Sequence, residues 1–108
     1  MPRALSLATL KVLSAMLQDP AAEHYGLALI ESTGVKAGSL YPILRRLENQ
    51  RWIAGEWEDI DESREGRRRR RYYKLTPDGL AVSRNAVLSA RRQLDVPARA
   101  PRLGQAFG

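Results

Sequence analysis

The chain has no cysteine, which removes disulfides, thiolate metal sites and cysteine nucleophiles together. Its one histidine, His24, stands without neighbouring ligands or a nucleophile, so neither a metal centre nor a catalytic group is expected, and no cofactor is implied. Long hydrophobic runs are missing too: no stretch reaches the length of a membrane span, and Met1 to Leu10 lacks the cationic start, apolar stretch and cleavage site of a secretory signal. A cytoplasmic protein without a membrane partner is the expectation. At 108 residues there is room for one hydrophobic core, and a fold of this size without staples often gains stability by dimerising.

What the chain does have is positive charge. Lysine and arginine number 18 against 12 acidic residues, a formal net charge of +6, which favours polyanionic partners, nucleic acid before an anionic membrane surface. The hydrophobic pattern starts helical. Leu5, Ala8, Leu10, Val12, Leu13, Ala15, Met16 and Leu17 recur at helical spacing until Asp19-Pro20 stops them. A second helix is read from about His24 to Ser32, closed by Thr33-Gly34. A third runs from about Ala37 to Gln50, with Leu40, Ile43, Leu44 and Leu47 as its buried stripe and Ser39, Pro42, Arg45, Arg46 and Asn49 opposite.

After Arg51 the pattern becomes extended. Trp52, Ile53, Trp57 and Ile60 and then Tyr72 to Thr76 read as two strands, joined by a loop from Asp59 to Arg70 that is acidic at its start and basic at its tip. Thr76-Pro77-Asp78 supplies an N-cap, a first-turn proline and an early acid for a last helix reaching about Leu94. Within it Leu80, Val87 and Leu94 repeat at seven with Leu88 beside them, the pattern of a seam against a partner helix. The expected fold is α+β and mostly α: a winged helix-turn-helix DNA-binding domain over 1–75, a C-terminal dimerisation helix over 76–94, and a mobile tail over 95–108. A helix roughly 10 Å across fits the major groove, and a cationic wing reaches nearby phosphates.

The run Gly38-Ser39-Leu40-Tyr41-Pro42-Ile43-Leu44-Arg45-Arg46-Leu47-Glu48 resembles the recognition helix of PadR-type transcriptional regulators. The resemblance continues through Trp52-Ile53, Trp57-Glu58, Gly66-Arg67 with its basic run, and Tyr72 to Gly79, and covers roughly Leu7 to Ala90. It implies a homodimer in which the C-terminal helix, helped by the first, joins two DNA-binding heads. There are three departures. Arg51 stands where a glycine usually ends the recognition helix, so the end must use Asn49, Gln50 or a strained arginine. Ser39 replaces a common threonine, losing a methyl that could touch thymine. Arg68 replaces a wing proline, which predicts a more positive but less pre-organised tip.

The candidate DNA-binding residues are Lys36, Ser39, Tyr41, Pro42, Arg45, Arg46, Arg67, Arg68, Arg69 and Arg70. Two readings stay open for some of them: Tyr41 either contacts DNA or packs between the second and third helices, and Arg46 either meets phosphate or pairs with Glu48 or Glu31. Candidate dimer-interface residues are Leu5, Val12, Leu80, Val87, Leu88 and Leu94. Trp52 and Trp57 point to opposite faces of the first strand. Both have a core role as the default and are the candidate contacts for a small aromatic or hydrophobic effector. The expected function is a repressor that occupies an inverted repeat in double-stranded DNA, with an effector acting at the dimer interface. The alternative is a winged-helix adaptor for protein or RNA. No pairing of nucleophile with base and no cofactor loop supports an enzyme.

Overall fold

Ser6 opens the first helix, its hydroxyl accepting the Thr9 amide at 3.1 Å, and the apolar spacing that follows carries α1 over Leu7–Leu17. The structure is a computed structural model and describes residues 5–95. A short strand, β1 (His24–Tyr25), leads into α2 (Gly26–Thr33) and α3 (Ala37–Asn49). Next come β2 (Ile53–Trp57), a single-turn α4 (Glu62–Glu65), β3 (Arg71–Leu75) and α5 (Pro77–Leu94). Gly34 ends α2 in the left-handed conformation at φ 74°, a backbone that glycine adopts without cost.

The three strands form one antiparallel sheet in the order β1-β3-β2. Ile53 faces Leu75, Gly55 faces Tyr73 and Trp57 faces Arg71, while His24 pairs with Tyr73 and Tyr25 with Tyr72. The core is the sum of the inward stripes: Val12, Leu13 and Met16 from α1, Leu29 from α2, Leu40, Ile43, Leu44 and Leu47 from α3, closed by Ile53 and Tyr73 from the sheet. Helices, a hairpin and a further helix in this order make a mostly helical winged helix-turn-helix.

Several expectations are corrected. His24 and Tyr25 do not begin the second helix but form a third strand on β3; Tyr25 is a β-favouring residue, and the far edge of β3 offers both of them unpaired backbone groups. The loop after β2 contains α4, capped by the Asp61 carboxylate, which accepts the Ser63 and Arg64 amides at 3.0 and 3.2 Å. Among the three ways of ending the recognition helix, the strained one is adopted, with Arg51 at φ 63°. The last helix runs as expected, from Pro77 with Thr76 as its N-cap to Leu94. Of the tail expected to be mobile, residues 96–108 lie outside the described residues.

Candidate nucleic-acid interface

The polar face of α3 is a consequence of its stripe. With Leu40, Ile43, Leu44 and Leu47 all turned into the core, Ser39, Tyr41, Pro42, Arg45 and Arg46 face solvent, as does Lys36 at the N-cap. Lys36 makes no side-chain cap; its carbonyl accepts the Ser39 and Leu40 amides at 2.9 and 2.8 Å, which leaves the Ala37 and Gly38 amides open beside a lysine ammonium, a combination that attracts phosphate. Among the described residues, no carboxylate lies within ion-pair distance of Arg45 or Arg46. Glu48 is engaged elsewhere, accepting from Arg71 Nη2 at 3.0 Å, which removes it as a partner for Arg46. Tyr41 takes the packing role: its ring packs over Gly26, where a Cβ would come within 2.7 Å of the hydroxyl, while 45% of the residue remains exposed.

The wing is a loop folded by its own acids. Glu58, at the end of β2, accepts from Arg67 Nη1 at 2.7 Å and Nη2 at 3.3 Å, from the Arg70 amide at 2.8 Å, and from the Tyr25 hydroxyl at 3.3 Å. Glu62 accepts the Arg69 amide at 2.7 Å, and Arg67 Nη1 also donates to the Arg68 carbonyl at 3.1 Å. Gly66 makes the reversal between α4 and this run at φ 69°. The hydrogen bonds from Arg67 and then the Arg70 amide pull the Glu58 carboxyl from the ordinary 4.5 down to about 2, against an opposing effect of burial. The tip is therefore held by side-chain bonds to its backbone at the Arg68 carbonyl and the Arg69 and Arg70 amides.

This geometry divides the basic run. Arg67 is bound to Glu58; Arg70 lies 5.5 Å from the centroid of the Tyr25 ring, with its Nε 3.8 Å from Glu58. Arg71 bridges Glu48 and the faces of Trp57 and Tyr73, 5.4 and 5.9 Å from their centroids. Arg68 and Arg69 have no side-chain partner among the described residues and are exposed. The sequence reading missed Glu58, Tyr25 and the Glu48–Arg71 pair; Trp57-Glu58 was noted only as part of the resemblance.

The candidate interface and effector residues separate as well. Val12 is 0% exposed and belongs to the chain's own core, so it is corrected: no partner can reach it. Leu5 is half-buried against that core. Leu80 and Val87 are half-buried, Leu88 is exposed, and Leu94, at the far end of α5, is 77% exposed. Trp52, just before β2, packs on the core while Trp57 is exposed; the core role expected by default is corrected for Trp57, because β2 leaves the core after Ile53. A cleft of about 460 Å³ opens between Gly26, Tyr25, Tyr41, Tyr73 and Arg70, and neither tryptophan lines it. Among the described residues no cluster of metal-ligating side chains occurs, and no helix is long and apolar enough to cross a membrane.

The model of the transcriptional regulator PadR-like family matches residues 13–85, a stretch from the core of α1 through the recognition helix and wing into α5. The chain belongs to the PadR-like family. A PadR-family regulator from Eggerthella lenta is 30% identical, with a TM-score of 0.59 over 82% of this chain and 77% of that one. The circadian clock associated protein Pex from Anabaena is 26% identical, with a TM-score of 0.61 over 81% and 76%. BpsR from Bordetella bronchiseptica, at 20% identity and a TM-score of 0.62, shares the fold; the match covers 82% of this chain and 56% of BpsR. No curated protein matches the chain in sequence. As a PadR-like protein the chain is a DNA-binding transcriptional regulator and not an enzyme.

Proposed function

We propose that this PadR-like regulator represses transcription as a homodimer, placing two α3 helices in successive major grooves of an inverted repeat about 34 Å apart. The observation that carries the proposal is the unpaired cationic face formed by Lys36, Arg45 and Arg46 on α3 together with Arg68 and Arg69 on the wing. The Lys36 ammonium and the Ser39 hydroxyl, with the open Ala37 and Gly38 amides, hold phosphate. Arg45 reads a base edge, Arg46 and Tyr41 contact the backbone, and Pro42 packs against the groove wall. The dimer seam is the row Leu80, Val87 and Leu94 with Leu88 at its flank and Leu5 beside it, since Leu94 is too exposed to serve the core of one chain. Residues 1–75 act as the reading head and 76–94 as the joining helix.

An effector completes the reading. BpsR, whose DNA binding is regulated by 6-hydroxynicotinic acid, is a precedent for small aromatic control on this fold. Here the effector sits at the dimer interface with Trp52 or Trp57 against it, and it weakens repression by preferring the arrangement whose heads are misplaced for the operator. The test of the central claim is binding of the purified protein to duplex from upstream of its own coding sequence and to scrambled duplex of equal length, at physiological salt. A preference of about a hundredfold or more supports a site-specific repressor, and Arg45→Ala then changes the ranking of sites. Equal weak binding to both would sink the reading and leave a general polyanion-binding adaptor.

A further inference from the structure

The sequence of the wing presents Arg67 to Arg70 as four equivalent cations. We infer that Glu58 sorts them, fixing Arg67 and Arg70 as parts that build the wing and leaving Arg68 and Arg69 as the pair that meets DNA phosphate; this rests on the DNA-binding reading above. The Glu58 side chain is only 11% exposed, against 36% for Arg67. A carboxylate so nearly enclosed must keep its partners. Were Arg67 to swing out to a phosphate, it would exchange a short, two-pronged, charge-assisted bond for a solvent-screened contact and strand the carboxylate behind it. Arg70 is anchored at its backbone by the amide on Glu58, and its guanidinium, though 58% exposed, lies over the Tyr25 ring with Nε 3.8 Å from the same carboxylate.

The same bonds aim the other two. The backbone on either side of the Arg68–Arg69 peptide is fixed, with the Arg68 carbonyl accepting from Arg67 and the Arg69 amide donating to Glu62. Both side chains are left outside that framework. Glu58 is thus a positioning residue for DNA binding although it touches no DNA, and Tyr25 extends its grip to β1.

The salt dependence of duplex binding distinguishes the two kinds of arginine, because each phosphate neutralised adds about 0.9 to the slope of log K against log salt. Arg68→Ala and Arg69→Ala should each lower the slope by about that amount, while Arg67→Ala should leave it within about 0.3 of the parent. Glu58→Gln should raise it as Arg67 is released. A fall for Arg67→Ala equal to that for Arg68→Ala, or no change in Glu58→Gln, would overturn the assignment. A second readout needs no DNA: phenylglyoxal modification of the free protein, followed by peptide mass spectrometry, should reach Arg68 and Arg69 several-fold sooner than Arg67, and Glu58→Gln should abolish the difference. Equal rates at Arg67 and Arg68 in the parent protein overturn the sorting. If no variant binds duplex at all, the DNA-binding reading has failed, and the modification rates alone decide the role of Glu58.

Discussion

The Thr76 hydroxyl donates to the Arg51 carbonyl at 2.7 Å while it accepts the Gly79 amide at 3.0 Å, so one side chain caps α5 and ties it to the end of the recognition helix. Two backbone features tighten the joint. The Thr76 amide donates to the Trp52 carbonyl at 3.1 Å, and Gly79 lies so close to that carbonyl that any Cβ would overlap it. The start of α5 and the end of α3 are therefore fixed to each other within a few residues of chain.

Removing that hydroxyl breaks both bonds together. Thr76→Val should cost about 1–2 kcal/mol, from the lost cap and an unsatisfied carbonyl, and Thr76→Ser should restore most of it. Urea unfolding of the three proteins checks this; a loss in the serine variant with none in the valine variant would mean that the methyl, not the hydroxyl, matters.

Arg51 carries the strain beside this joint. Its φ of 63° lies where a Cβ crowds the following carbonyl, and Arg51→Gly should add about 1 kcal/mol of stability. A rise in melting temperature with unchanged operator affinity is the expected result. Loss of affinity would assign the arginine side chain to DNA.

Ser83 presents the opposite case. Its Oγ is fully buried in α5 without a hydrogen-bond partner among the described residues, and an unpaired hydroxyl in that setting opposes folding. Ser83→Ala should stabilise by about 1 kcal/mol in denaturant unfolding. A loss of stability would show that the hydroxyl bonds within its own helix.

The acid dependence of the wing follows from Glu58. Its carboxyl is depressed in the folded protein, from 4.5 to about 2, so its stabilisation is fully present above pH 4.5 and is lost as pH falls through 2. Stability followed between those values should decline more steeply for the parent than for Glu58→Gln. Parallel curves would remove Glu58 from the account of acid unfolding.

The long elements were legible because one physical signal dominates each. The α3 stripe of Leu40, Ile43, Leu44 and Leu47 is buried residue for residue, and Thr76-Pro77-Asp78 marks the start of α5 by local chemistry alone. What was hidden depends on partners distant in sequence. Two residues are too few for β1 to declare a period, and only the edge of β3 makes His24 and Tyr25 a strand. The arginine run reads as uniform charge until a glutamate 12 positions from Arg70 binds part of it. In α1, apolar over much of its surface, spacing alone could not say whether Val12 faced the core or a second chain. At Arg51 the residue type left three helix endings open, and the backbone dihedral chose among them.

The placement of the two tryptophans gives the molecule its own optical reporters. Trp52 sits at the α3–α5 joint and packs on the core, whereas Trp57 stands exposed at the wing base beneath Arg71, and the chain has no other indole. Its fluorescence therefore has one component from a half-buried ring and one from a ring largely in water, with the second quenched first by an added ion. Phenylalanine at position 57 would silence the wing and leave a signal only from the joint. Light from a single unlabelled chain can then say whether an event began at the wing or where α3 meets α5.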